Sequence, residues 1–184
     1  SKGAPYLVML SLTNQPDKKN WYDAYEGYAV PSLSKNHLCP VESNYERVVL
    51  DTVLKKWVPY WNKKGLSVQV SKPMIDIAVR DENNELAYVR PDFIVRGKNR
   101  AVVLEVMGSL EEDYVERKVA IVELMQRRWP VIEFDAYTAD VKNRWDDDLT
   151  RSLKAVTKYL FEERETSSSP SVAKKIGGMF GRKF

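Results

Sequence analysis

The sequence predicts an α/β fold in which helices flank a central mixed β-sheet. Three features carry that expectation: a capped amphipathic helix near residue 43, a run of short β-branched segments between residues 66 and 107, and two later helical patterns separated by the apolar stretch WPVIEFDAY. In chain order the expected core is α-β-β-β-α-β, closed by a C-terminal helix.

Local chemistry justifies each element in turn. YLVMLSL, residues 6–12, is an apolar run stopped by the turn-rich TNQPDKKN, as expected of a strand, and Trp21, Tyr22, Tyr25 and Tyr28 then read as an aromatic loop. In CPVESNYERVVLDTVLKKW, Ser43 and Glu46 form a capping-box pair, and Val49, Leu50, Val53, Leu54 and Trp57 recur at helical spacing. A helix over about 43–58 is expected, ended by Pro59 and Gly65. LSVQV and MIDIAV read as short strands or one bent strand, and ELAYV leads into the stretch that begins at Arg90. RPDFIV and AVVLEVM read as adjacent antiparallel strands, because Gly97 and Asn99 in the intervening RGKNR suit a tight turn. EEDYVERKVAIVELMQRR is a second helix, with Val115, Val119 and Val122 on one stripe and Tyr114, Lys118, Ile121 and Met125 on its neighbour. A last helix covers DVKNRWDDDLTRSLKAVTKYLFEERE, with Trp145, Leu149, Leu153, Val156 and Leu160 as its buried stripe.

Composition bounds the function. The chain has 184 residues, 43% hydrophobic and 30% charged, which suits one domain over residues 1–166 with its core at about 42–137. Residues 167–184 read as a Ser-rich linker and a flexible basic tail. A net charge of +3 permits a nucleic-acid partner without requiring one. One cysteine, Cys39, excludes an internal disulfide and a multi-cysteine zinc site and fits a reducing, cytoplasmic compartment; Cys39 and His37 read as structural. No apolar run reaches the roughly 18 to 20 residues of a membrane span. The chain starts at Ser1 without methionine, which leaves open that it is one domain of a larger protein or complex. Oligomeric state is not legible.

The chemistry concentrates in RPDFIVRGKNRAVVLEVMG, residues 90–108. On a strand alternate side chains share a face, so Ala101, Val103, Glu105 and Met107 lie together and Val102, Leu104 and Val106 lie opposite. An acid inside so apolar a strand is costly without a partner. If Asp92 on the paired strand points the same way, two carboxylates converge; at about 4 Å and an effective dielectric near 20 their repulsion is roughly 4 kcal/mol. Such a pair is tolerable if a proton is shared, if a cation lies between the two, or if the side chains point apart into water. Oxygen ligands of this kind suit Mg2+ or Mn2+. An ion held there would lower the pKa of a bound water and neutralise charge on a phosphate, as phosphodiester hydrolysis requires.

Pro91 and Asp92, then Glu105 after a short turn and an apolar strand, with a helix bearing Glu46 before them and another helix after, resemble the PD-(D/E)XK, or restriction-endonuclease-like, nuclease superfamily. The resemblance covers roughly residues 42–137. It implies a restriction-endonuclease-like core and a Mg2+- or Mn2+-dependent endonuclease acting on DNA. It implies that Asp92 and Glu105 bind the metal, with the Val106 carbonyl as a further ligand, and that Glu46 matches the acid some members add to the site. Met107 stands where the motif places a lysine that orients the attacking water. In some members that lysine has moved to the following helix, and Lys118 is the matching substitute. Met107 also leaves open a catalytically inactive nuclease-fold module that binds nucleic acid or a protein partner. The helix after Glu105 lacks a Gln-x-x-x-Tyr pattern, so exonuclease-like branches are not implied.

Further candidate nucleic-acid contacts are Lys63, Lys64, Tyr114 and Arg127. In LKKWVPYWNKKG, residues 54–65, Tyr60 or Trp61 would stack on bases. The simpler reading there is a helix end with aromatics packed inward and lysines left in water.

Overall fold

The protein is described here by a computed structural model, which covers residues 5–14, 17–18 and 22–161. In its N-terminal part, β1 (Tyr6–Asn14), β2 (Tyr22–Ser34) and β3 (His37–Pro40) form an antiparallel sheet in that order. Here the reading of residues 22–28 as a loop is corrected. Tyr22 pairs with Asn14 and Tyr28 with Met9, so the aromatic segment is the start of a thirteen-residue strand. Its partner is non-local, and the turn-rich residues between hide the pairing from a local reading.

The first helix begins as expected: Ser43 is the cap of α1 (Asn44–Thr52), its Oγ accepting the Glu46 N–H at 3.1 Å. It does not stop at Pro59. A π-helical turn (Val53–Trp57) continues into α2 (Val58–Lys63), with Pro59 in the first turn of α2 and Gly65, at φ 72°, following its end. A proline N–H is missing, and a first helical turn is where that loss is tolerated.

The central sheet is built from β4 (Gln69–Ser71), β7 (Phe93–Arg96), β8 (Ala101–Met107) and β9 (Val131–Asp135), in the order β4-β7-β8-β9. β4, β7 and β8 are antiparallel, and β9 lies parallel to β8. The parallel step needs a crossover, which α3 (Glu112–Gln126) supplies. A separate hairpin, β5 (Ile77–Arg80) and β6 (Leu86–Val89), is inserted before β7. After β9 come the short α4 (Ala136–Val141) and α5 (Trp145–Phe161). The mixed sheet with helices on both sides is the expected α/β architecture, and the hairpin is the addition to the expected strand order.

Sheet alternation divides the core in two. Phe93, Val95, Val102, Leu104 and Val106 pack with α1, α2, α4 and α5 on one face, while Ile94 and Val103 pack with Val79, Val89 and Met125 on the other, under α3. On α3 the inward side is the one that carries Lys118, Val122 and Met125, while Val119 is exposed. On α5 Leu149, Leu153, Val156 and Leu160 are buried as expected, and Trp145 is half-buried at the helix start, where it meets the Phe134 ring edge-on at 5.0 Å. No described helix is long and apolar enough to cross a membrane. Trp21, the expected helical residues after Phe161, and the expected linker and tail at 167–184 lie outside the described residues.

Candidate active site

The register of β7 on β8 sets Phe93 opposite Leu104, so Asp92 and Glu105 come one step further along and lie side by side. Strand parity puts Asp92 with Ile94 and Glu105 with Val103, on the α3 face. Backbone N–H groups fix both carboxylates: Asp92 N–H donates to Glu105 Oε1 at 2.7 Å, and Val106 N–H donates to Asp92 Oδ2 at 2.9 Å. Glu105 is fully buried and Asp92 is 7% exposed.

Of the three ways to tolerate such a pair, the structure uses a cation. Lys118 reaches down from α3 and donates to Asp92 Oδ2 at 3.1 Å and to Glu105 Oε2. Its place follows from helical spacing, since Tyr114, Lys118, Ile121 and Met125 share the inward stripe of α3. Burial works to lower the Lys118 pKa, but Asp92 and Glu105 outweigh it and hold the ammonium above the ordinary lysine range. Burial, followed by repulsion from Asp92, pushes the Glu105 carboxyl up to about 7 against the opposing pull of Lys118.

Above this cluster opens a cleft of about 320 Å³ lined by Asp92, Lys118, Tyr114, Arg117, Arg90 and Tyr88, among others. The Tyr114 hydroxyl accepts the Gly108 N–H at 3.1 Å and donates to the Val106 carbonyl at 3.5 Å, holding the end of β8 against α3. Met107, at that end, is half-buried and pairs with Asp135 of β9. Arg90 and Arg117 were not anticipated, although each is the immediate neighbour of a motif element, Pro91 or Lys118. Lys63, Lys64 and Arg127 do not line the cleft; Arg127 faces Glu82 at 3.9 Å, both largely in water.

Glu46 joins the same end of the sheet through a different lysine. Its Oε2 accepts Lys72 Nζ at 2.7 Å and the Glu42 N–H at 3.2 Å. Both side chains of this ion pair are almost sealed, 5% and 7% exposed. Burial raises the Glu46 pKa most and Asp92 raises it further, while Lys72 lowers it. Lys72 also sits 5.5 Å from the Phe93 ring centroid. Sequence reasoning missed Lys72, which directly follows the three-residue β4, too short a strand for its alternation to mark a lysine as inward. Cys39 lies nearby, its thiol raised chiefly by burial, with Lys72 and Glu46 acting in opposite directions.

Residues 42–162, well over half of the chain, match the family described as restriction endonuclease-like C-terminal domain. The chain belongs to that family. A restriction endonuclease-like domain is a nuclease-type domain, and nucleases of this kind generally use divalent metals. The chain is also 34% identical over 122 residues to an Escherichia coli protein described as an uncharacterized protein in the cib 5' region. The match covers 62% of this chain and 54% of that protein, so the chain spans about half the length of the relative. Among the described residues no three His, Cys, Asp or Glu side chains are gathered as a metal cage. What this restriction endonuclease-like domain presents is a carboxylate pair, an adjoining carbonyl and a lysine.

Proposed function

We propose that this chain is a divalent-metal-dependent endonuclease acting on DNA, with Asp92 and Glu105 as the metal-binding carboxylates and Lys118 in place of the motif lysine. The observation that carries the reading is the Lys118 ammonium bridging both carboxylates beside a cleft lined by Arg90 and Arg117. A structural acid pair would not need to face such a cleft.

The donor set fits Mg2+ or Mn2+. Mg2+ keeps several waters and is held through one or two carboxylates, so Asp92, Glu105 and the Val106 carbonyl suffice without a third acid. When bound, such an ion supplies a water of lowered pKa and neutralises phosphate charge. The remaining work belongs to the chain. Asp92 and Val106 N–H groups keep the carboxylates aimed. Lys118, anchored on α3 at the cleft, would hold its ammonium beside the attacking water or a phosphate oxygen when Asp92 and Glu105 hold a metal. Arg90 and Arg117 meet the DNA backbone, and Tyr114 positions the Val106 carbonyl. Glu46, neutralised by Lys72, acts on the field at Asp92. With DNA as substrate and a single cysteine, the proposed place of action is the cytoplasm.

Cleavage of single-stranded, double-stranded and branched DNA with Mg2+ or Mn2+ tests this. Activity that survives in both Asp92→Ala and Glu105→Ala rules the reading out. A second reading is favoured by one observation: the two carboxylates are already satisfied by Lys118, as a silent nuclease-fold module binding nucleic acid or a larger protein assembly would need. Calorimetry separates the two, since a working site binds Mn2+ and loses it in Glu105→Ala. If cleavage appears only in Met107→Lys, Lys118 is not the replacement lysine.

A further inference from the structure

The helix that runs through Pro59 builds a second feature on the sheet face opposite α3. Trp57 and Tyr60 stand at one wall of a groove of about 560 Å³, with Lys56 beside them and Thr150, Lys154, Lys158 and Phe161 of α5 forming the other wall. Among the described residues three lysines line this groove and no carboxylate does. The Trp57 and Tyr60 rings meet edge to face, centroids 5.5 Å apart at 73°, so the two planes are not stacked on each other. Tyr60 is 46% exposed.

The backbone is shaped to present these rings. The π turn Val53–Trp57, closed by Val58 N–H on the Val53 carbonyl, inserts one extra residue before α2. One residue is about 100° of helix rotation, so the turn re-aims the side chains that follow it. Trp61 is turned into the core, where its Nε1–H donates to Thr157 Oγ1 at 2.8 Å and fastens the π turn and α2 to α5. Tyr60 is left at the rim. Single π turns within helices are rare and frequently occur at functional sites.

We propose that this groove binds single-stranded nucleic acid, Lys56 and Lys154 taking the phosphates and the exposed Tyr60 ring at the rim taking an unstacked base. Charge complementarity selects a polyanion. The exposed ring at the rim of an apolar groove selects one with planar apolar groups, and a duplex keeps its bases stacked on one another and out of reach. The groove lies across the sheet from the carboxylate cluster, so it is a holding site for a strand rather than part of the proposed cleavage site.

The test is binding of a fluorescently labelled oligothymidine to the full chain in EDTA, read by anisotropy, so that neither metal nor cleavage enters the result. Tyr60→Ala weakens binding at least about fivefold. Lys56→Gln with Lys154→Gln lowers the slope of log affinity against log salt by about 1.4, roughly 0.7 for each phosphate no longer neutralised. All three positions are exposed, and a thermal melt confirms that the variants stay folded. Oligothymidine binding that is unchanged in both variants overturns the proposal. So does equal displacement by inorganic polyphosphate or by polyglutamate, which would mark the groove as a general basic patch. Because the readout contains no divalent ion, failure of the nuclease reading leaves this result standing, and the reverse also holds.

Discussion

Two buried acid–lysine clusters share one end of the central sheet, and they are built differently. Lys118 bridges two carboxylates at the floor of an open cleft, with 16% of its side chain exposed. Lys72 holds one carboxylate in an almost sealed pocket. The first opens directly onto the cleft, whereas the second is almost closed to solvent. A buried ion pair is weak evidence for stability, because desolvation offsets most of the Coulomb gain. Two such pairs at one sheet end therefore call for a reason beyond folding, and the cleft supplies one for the Lys118 cluster.

The sharpest way to break the comparison is to remove the acids. Asp92→Ala and Glu105→Ala each lower the rate of metal-dependent DNA cleavage by more than about 100-fold, exceeding the loss typical of partners that touch a metal only through another ligand. Equal activity in either variant, measured under single-turnover conditions, would erase the distinction between the clusters.

Next comes the bridging cation itself. Lys118→Met leaves two carboxylates facing each other and costs about 3 kcal/mol in urea unfolding at pH 8, the usual effect of breaking a buried pair. The loss is pH-dependent, and its sign follows from Glu105. Its folded-state pKa is raised to about 7 even with Lys118 present. The folded variant thus holds a proton that the unfolded chain releases in the ordinary carboxylate range, so its stability falls as pH rises from about 4.5 through at least 7. Acidification restores it. A flat pH profile for the variant would show that the carboxylates do not interact.

The sealed pair gives smaller effects. Glu46→Gln lowers cleavage by about 10-fold, since its influence on Asp92 is through the field. Replacing the pair with Lys72→Met and Glu46→Leu leaves stability within about 1 kcal/mol of the parent, because apolar packing substitutes for a buried ion pair at little cost. Of similar size, Tyr114→Phe removes the hydroxyl that accepts the Gly108 N–H and costs about 1 kcal/mol by thermal or urea unfolding.

The same contrast explains what the sequence disclosed. Asp92 and Glu105 were legible because a tight turn fixes the register between them, and parity alone then gives the shared face. Lys118 was legible from its place on the Tyr114, Ile121 and Met125 stripe. Lys72 was not, because it follows a three-residue strand, which offers too little pattern to mark a lysine as inward. The Tyr22 segment failed for a related reason: its strand character comes from pairing with β1 across a long turn. Pro59 misled because a helix end and a π turn look alike in letters.

The two hydrogen bonds that cross between Asp92 and the Glu105–Val106 step have a further consequence. A slip of β7 by one residue would turn Asp92 to the opposite side of the sheet and break both bonds. Any cutting power in this chain is therefore conditional on correct strand pairing. A copy paired in the wrong register carries no assembled carboxylate pair, so the finished sheet is what completes the candidate site.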